Sequence, residues 1–344
     1  METNLRPLTL GEILDRTAQL YRENFLLFAG IAAVYAGVLL VLSLIQIGIQ
    51  EWMRAEHMIR ELVWATGIGV LVLWIAIFIC GGLAVAANNR AVAWVHLGEP
   101  ATIRGAYSSI LPQLGRYLWL MTITAFRVWT PCVLLYIAYL ALAVFYLRPQ
   151  GALRHHGASP DMNALLIFGV ASFIFAILLL GAIIYAIIMG LRYSLAVPAC
   201  VVEGLRARQA IRRSIDLSKG ARGRIFVLGL LVLAIQIGLA LVTQLFFIIA
   251  TVQHHGVLPV GIRALQQIVA FFTNTFVAPI YATGLTLFYY DQRVRNEGFD
   301  IERMMQSAGL TPPPPAAPSF EPVLEIPVET AADSSIPEPG RVNE

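Results

Sequence analysis

The chain has 344 residues, of which 58% are hydrophobic and 13% charged, and its mean hydropathy is +0.71. This composition excludes an ordinary soluble globular protein and indicates a protein built from membrane-spanning segments. The formal net charge of +3 gives no reason to expect a nucleic-acid partner.

The first predicted element is an amphipathic helix that begins after Thr9. Thr9 followed by Glu12 has the spacing of a capping box, in which each side chain accepts a hydrogen bond from the other residue's backbone. The apolar positions of this segment recur at helical spacing and share one face. They are Leu10, Ile13, Leu14, Thr17, Ala18 and Tyr21.

Six apolar runs follow, each long enough to cross about 30 Å of hydrocarbon, which takes about 20 helical residues. They cover residues 25–49, 62–87, 118–145, 164–191, 225–252 and 265–290. Spanning runs must be helices, because lipid offers no partner for a free backbone N–H or C=O group. Pro131 and Pro279 are the positions where we expect kinks.

The segments between these runs alternate in charge, which predicts the orientation. The N-terminus, residues 88–116, residues 192–224 and the segment after residue 290 together carry 18 Lys and Arg, against 5 in the alternating loops. Basic loops stay on the cytoplasmic side of a membrane. Both termini are therefore predicted to be cytoplasmic.

The same order of elements occurs three times, which predicts an internal repeat. Each unit has an amphipathic helix followed by a hairpin of two spanning helices, over residues 8–97, 98–204 and 205–308. The fold class is thus all-α, a six-helix transmembrane bundle of three repeats, with residues 1–308 as the membrane domain. The alternative is the weak periodicity that any multi-pass protein with regular loops shows.

Residues 309–344 have a different composition, rich in proline and acidic residues with few apolar clusters. Such a segment buries too little apolar surface to fold alone. We predict a disordered, Pro-rich cytoplasmic tail.

The most basic segment of the chain runs from Glu203 to Arg224. Helical spacing places apolar and small residues such as Ala210 and Ile211 on one face and most of the arginines on the other. This pattern predicts a helix in the membrane interface, with the apolar face on hydrocarbon and the basic residues on anionic lipid head groups. The predicted lipid-contacting residues are Arg206, Arg208, Arg212, Arg213, Lys219, Arg222 and Arg224. The competing interpretation is a protein-only clasp, in which arginines pair with the acids Glu203, Asp216, Asp291 and Asp300.

A polar path through the bundle would have to use the few polar residues inside the spans. Arg127, Asn274 and Gln244 are the candidates, and Arg127 is the one formally charged residue well inside a span. The alternatives are that Arg127 extends to the cytoplasmic interface and that the amides join neighbouring helices. No acidic residue lies in any of the six runs, which disfavours a proton-coupled carrier.

Two histidine pairs recur in the predicted extracytoplasmic loops. His155 and His156 precede a Gly and a Pro, and His254 and His255 precede the same two residue types at the same spacing. Neutral imidazoles are common ligands of Zn²⁺ and Cu²⁺, so these four are weak metal candidates. The alternative is a tight turn with a histidine at a helix end. No other motif in the sequence calls for a cofactor.

Three segments resemble a known family. They read TLGEILDRT with LYR at 9–22, LRYSLAVP leading through VEG to AIRRS at 191–214, and YYDQRVRNEGFD at 289–300. Together they are similar to the membrane domain of bacterial glycerophosphoryl diester phosphodiesterases and to its stand-alone relatives. The resemblance implies a multi-pass protein of the bacterial cytoplasmic (inner) membrane. In that family the activity resides in a separate soluble barrel, which we do not expect in this chain.

Three classes of function remain open from the sequence. We favour a non-catalytic membrane scaffold or accessory factor that contacts anionic lipids and an unidentified protein. The alternatives are a transporter or channel for a small solute and an enzyme acting on lipid head groups.

Overall fold

The computed structural model describes residues 7–152, 162–254, 258–299, 301, 304 and 305, without the side chains of residues 145–152 and 162–165. The described part consists of helices joined by turns and contains no strand, so the predicted all-α class is confirmed. The chain divides into two units, Met1–Asp300 and Ile301–Glu344, and the helices belong to the first. The predicted tail at 309–344, together with His155, His156 and His255, lies outside the described residues.

The first unit has eleven α-helices within the described residues. In chain order they are α1 (Leu10–Glu23), α2 (Phe25–Ala55), α3 (Ile59–Ala76), α4 (Gly82–His96), α5 (Ile103–Ile110), α6 (Leu114–Ala152), α7 (Met162–Tyr193), α8 (Ala196–Glu203), α9 (Ala207–Leu217), α10 (Arg222–Gln253) and α11 (Val260–Glu297). A π-helical turn, Ile77–Gly81, joins α3 to α4, and a 3₁₀ turn, Leu111–Gln113, joins α5 to α6.

Six helical segments are long and apolar enough to cross a membrane, which confirms the six predicted spans. They are Phe25–Ala55, Ile59–His96, Ile103–Val144, Leu166–Glu203, Arg222–Gln253 and Val260–Glu297. The second and fourth continue beyond their predicted ends, since α4 and α8 extend them. Helices α6 and α11 run through Pro131 and Pro279, and whether either one bends there stays a prediction.

The amphipathic helix α1 begins as the sequence predicts. The backbone N–H of Thr9 donates to Glu12 Oε2 at 2.7 Å, and the N–H of Glu12 donates to Thr9 Oγ1 at 3.4 Å. This confirms the capping box. On the predicted face, Ile13 and Thr17 are buried and Ala18 is exposed, and the helix packs against α11.

Helix α11 organises the packing, since it contacts α1, α2, α4, α8, α9 and α10. The core lies where the last turns of α4 and α11 meet the short helices α1, α8 and α9. Small residues let the backbones approach closely there: a Cβ on Gly284 would come within 2.7 Å of Leu228 Cδ2. Along the spans, large apolar side chains such as Trp64, Phe173 and Val242 are exposed, which is the pattern of a lipid-facing surface.

Helices α1 and α9 each precede a pair of spans, whereas α5 lies at the start of the third span, Ile103–Val144. That the three units are copies of one another, and the domain boundaries drawn from them, stay predictions.

Candidate functional site: a basic helix and a polar cavity

The basic helix α9 is set by the turn that precedes it. Gly204 ends α8 with φ 67°, in the left-handed region that favours glycine. Its carbonyl accepts a hydrogen bond from Arg116 Nη1 at 2.7 Å, and the N–H of Arg206 donates to Gln209 Oε1 at 3.2 Å. The turn is therefore held on both sides, and α9 starts at a fixed angle to α8.

The apolar face of α9 packs on protein. Ala207, Ala210, Ile211, Ser214 and Leu217 are buried, and the helix contacts α6, α7, α8 and α11. The hydroxyl of Ser214 donates to the carbonyl oxygen of Arg192 at 2.8 Å, which ties α9 to the end of α7. The prediction that this face lies on hydrocarbon is wrong, because α8 folds back beneath α9 and covers it.

Three of the predicted lipid-contacting arginines, Arg206, Arg208 and Arg212, are exposed and pair with no carboxylate in the described part of the chain. Lys219 is exposed too, but its Nζ lies 2.8 Å from Asp216 Oδ1. The hydrogen bond from Lys219 holds the pKa of Asp216 below its ordinary value. Arg222 is partly buried.

Arg213 instead belongs to a cluster of ion pairs. Its Nε donates to Glu203 Oε1 at 2.9 Å, and its Nη2 donates to Glu297 Oε2 at 2.7 Å. Tyr289 also donates to Glu203, and Arg293 Nε donates to Glu297 at 3.3 Å. This cluster joins the end of α8, the middle of α9 and the end of α11.

Arg224 belongs to a second cluster, centred on the carboxylate of Asp291. Oδ2 of Asp291 lies 3.3 Å from Arg224 Nη1 and 3.0 Å from Arg295 Nε, and Oδ1 accepts a hydrogen bond from the backbone N–H of Leu8 at 2.8 Å. The pairs Arg213–Glu203, Lys219–Asp216 and Arg224–Asp291 are those of the clasp interpretation, whereas Asp300 lies outside the described residues. Sequence reasoning missed Glu297, because nothing local distinguishes it from other acids near a helix end.

The two amides of the predicted polar path come together. Gln244 of α10 and Asn274 of α11, both exposed, line an open cavity of about 360 Å³, whose lining also includes Thr243, Gln266 and Gln267. The side-chain nitrogen of Asn274 donates to the carbonyl oxygen of Ala270 at 2.9 Å. Arg127 does not line this cavity, since it lies exposed on α6.

Of the four histidine candidates, only His254 lies within the described residues. It is exposed and follows the last turn of α10, where its backbone N–H donates to the carbonyl oxygen of Ala250 at 3.1 Å. Within the described residues no group of three or more His, Cys, Asp or Glu could hold a metal ion. Metal binding at the histidine pairs stays a prediction.

Six long apolar helices and the exposed apolar side chains along them define the chain as a multi-pass α-helical membrane protein. Residues 167–319 match the family model of the membrane domain of glycerophosphoryl diester phosphodiesterase. The match confirms the resemblance and covers its second and third segments, at 191–214 and 289–300. The match concerns the membrane domain alone, so it supports a membrane location and gives no information about an activity. Compared with curated proteins and with solved structures, the chain matches none.

Proposed function

We propose that this protein is a non-catalytic scaffold or accessory factor of the bacterial cytoplasmic membrane, which contacts anionic lipids through helix α9. The observation that carries the proposal is the exposed set Arg206, Arg208 and Arg212, which pairs with no carboxylate in the described part of the chain, on a helix whose other face is packed.

The energetics favour lipid head groups as partners of these three arginines. Each basic residue near an anionic leaflet contributes about 1 kcal/mol of attraction, which decays over a Debye length of about 8 Å. Packing already fixes the orientation of α9, so binding requires no folding of the helix. Three arginines therefore contribute a few kcal/mol at low salt.

The non-catalytic part of the proposal is supported by the hydrogen bonds that the acidic residues accept. Glu203, Asp291 and Glu297 each accept hydrogen bonds from arginine. A carboxylate acting as general base needs a free oxygen within reach of substrate. These three serve the packing of α8, α9, α10 and α11 instead.

The test replaces Arg206, Arg208 and Arg212 together by Gln and identifies the lipids that copurify in mild detergent by mass spectrometry. We expect the wild type to retain phosphatidylglycerol or cardiolipin over zwitterionic lipid, and the triple variant to lose that preference. An unchanged lipid composition in the triple variant would contradict the proposal.

Two control variants separate lipid contact from packing. Arg213→Gln removes a clustered arginine of the same helix and should lower the thermal midpoint while the lipid preference persists. Arg60→Gln removes a side chain that is 86% exposed in the first turn of α3 and should change neither property.

The cavity lined by Gln244 and Asn274 supports a second candidate, a transporter for a small neutral solute. A neutral solute can replace its hydrogen bonds to water by hydrogen bonds to amide side chains at little energetic cost. Uptake assays in proteoliposomes with the Gln244→Leu variant would test it: loss of uptake by a folded protein supports a transporter, and equal uptake by variant and wild type contradicts it.

A further inference from the structure

A second space in the bundle is a crevice of about 220 Å³ between α2, the π turn with α4, and α11. Its floor is buried and consists of residues such as Ile31, Ala84 and Pro279. Its rim is exposed, at Val85, Asn274 and Ala278. The crevice therefore opens on the outside of the bundle, where lipid would lie.

A polar residue stands at the floor of this apolar crevice. Asn88 is 3% exposed, and its Nδ2 donates a long hydrogen bond of 3.4 Å to the carbonyl oxygen of Pro279. That contact fixes the amide so that Oδ1 is the free acceptor. Oδ1 is buried and accepts no hydrogen bond from the described part of the chain. A buried acceptor without a donor destabilises a protein. Its presence here therefore points to a hydrogen-bond donor that is not part of the chain.

Local backbone geometry keeps the crevice open. Gly81 ends the π turn, and a Cβ at this position would lie 3.3 Å from the ring of Tyr35. A side chain at residue 81 would displace that ring. Ala32 and Ala282 add little volume on either side. Short π-helical turns inside longer helices are frequent at functional sites, because they shift the side chains that follow.

The lining determines the chemistry of the ligand. None of the described residues that line the crevice is charged, and most are apolar. Among the described lining residues, the buried polar atom without a partner is the acceptor Asn88 Oδ1, so the ligand is neutral and carries an O–H or N–H group. At about 220 Å³ the crevice is smaller than the 300–1,000 Å³ of a pocket that encloses a whole ligand. It therefore holds one part of a larger amphiphile, whose remainder lies among the lipids.

The depth of the crevice matches a lipid. Asn88 precedes Arg90 by two residues, and in the predicted orientation Arg90 lies at the cytoplasmic head groups. Ile77, at the other end of the crevice, lies 11 residues earlier in the chain, or about 16 Å farther along the helix. A lipid whose polar group lies at Asn88 would thus have its acyl chain pointing toward the membrane centre.

We propose that this crevice binds a neutral lipid of the diacylglycerol type, whose free hydroxyl donates to Asn88 Oδ1 and whose acyl chain lies along Tyr35 and Ile77. The proposal is independent of the anionic-lipid contact of α9, since the two sites share no residue.

The test uses the full-length protein in nanodiscs with a diacylglycerol that carries a photoreactive acyl chain. Cross-links identified by mass spectrometry should fall on peptides of α2, α4 or α11 that line the crevice. The same lipid with its hydroxyl methylated keeps the chains but lacks the donor, so its labelling should fall about fivefold. Equal labelling by the methyl ether, or by a photoreactive phosphatidylglycerol, would overturn the proposal.

Two substitutions probe the protein side. Ala278→Leu fills the exposed rim without disturbing the core and should reduce labelling at least fivefold, whereas Ala176→Leu, at an exposed alanine of α7, should leave it unchanged. Asn88→Ala should lower labelling by diacylglycerol to the level of the methyl ether. Should labelling be unchanged in both Ala278→Leu and Asn88→Ala, the lipid would lie elsewhere and the assignment would be wrong.

Discussion

Asp291 has a fully buried carboxylate near the end of α11, and it joins this helix to two segments that are distant in sequence. Arg224, Arg295 and the backbone of Leu8 all approach its two oxygens. A buried charge with this many hydrogen bonds is well compensated, but each partner depends on the carboxylate remaining charged.

We predict that Asp291→Asn lowers stability by about 3–5 kcal/mol, because two arginines then lose a buried counter-charge. Thermal unfolding in detergent, followed by tryptophan fluorescence, measures the change. Asp216→Asn is the matched control. Asp216 pairs with Lys219 at an exposed site, so the thermal midpoint of this variant should equal that of the wild type. Equal effects of the two variants would contradict the role assigned to Asp291.

At the residue scale, the sequence predicts what is local. Thr9 and Glu12 are three positions apart, and their capping box follows from spacing alone. The bond from Leu8 to Asp291 joins residues 283 positions apart, and the contact of Asn88 with Pro279 joins residues 191 apart. No pattern within one segment encodes such pairs. The clasp interpretation named Asp291 as a partner of the arginines, but its bond to Leu8 and the crevice emerge only from the fold.

At the scale of elements, Gly204 decides how α9 meets α8. We predict that Gly204→Ala lowers the thermal midpoint, because a left-handed conformation costs a residue with a Cβ about 1–2 kcal/mol. The same substitution at Gly169, inside α7, should cause no loss, because no atom lies within 4 Å of the position that its Cβ would take. Equal midpoints for the two variants would show that the turn tolerates a side chain.

Elements were predictable where periodicity was unambiguous. The hydrophobic face of α9 was identified correctly from Ala207, Ala210 and Ile211, but its partner was not, since an apolar stripe suits protein and lipid equally. The π turn at Ile77–Gly81 gave no signal either, because it lies within an uninterrupted apolar run.

At the scale of the whole molecule, the six spans follow from composition, and their orientation is a separate prediction from the charge of the loops. We expect Glu56→Cys and His254→Cys to react with a membrane-impermeant maleimide in intact cells. Glu99→Cys and Lys219→Cys should react only after permeabilisation. All four positions are exposed, so accessibility within the fold does not limit the reaction.

The background for this experiment replaces Cys80, Cys132 and Cys200, the three free cysteines, by Ala. If Lys219→Cys reacted in intact cells, the predicted orientation would be wrong, and the basis for contact with the cytoplasmic leaflet would be removed.

The bond between Leu8 and Asp291 also dictates an order of events during synthesis. At 5–20 residues per second, a ribosome that has made Leu8 needs roughly 15–60 s to reach Asp291, given their separation of 283 residues. Helix α1 packs against α11 in the finished protein, so throughout that interval its apolar face lacks its final cover. An amphipathic helix in this position can rest on the leaflet surface until the last span is inserted. The final span thus completes the assembly by recruiting the first helix, and truncation before α11 would leave α1 on the membrane surface.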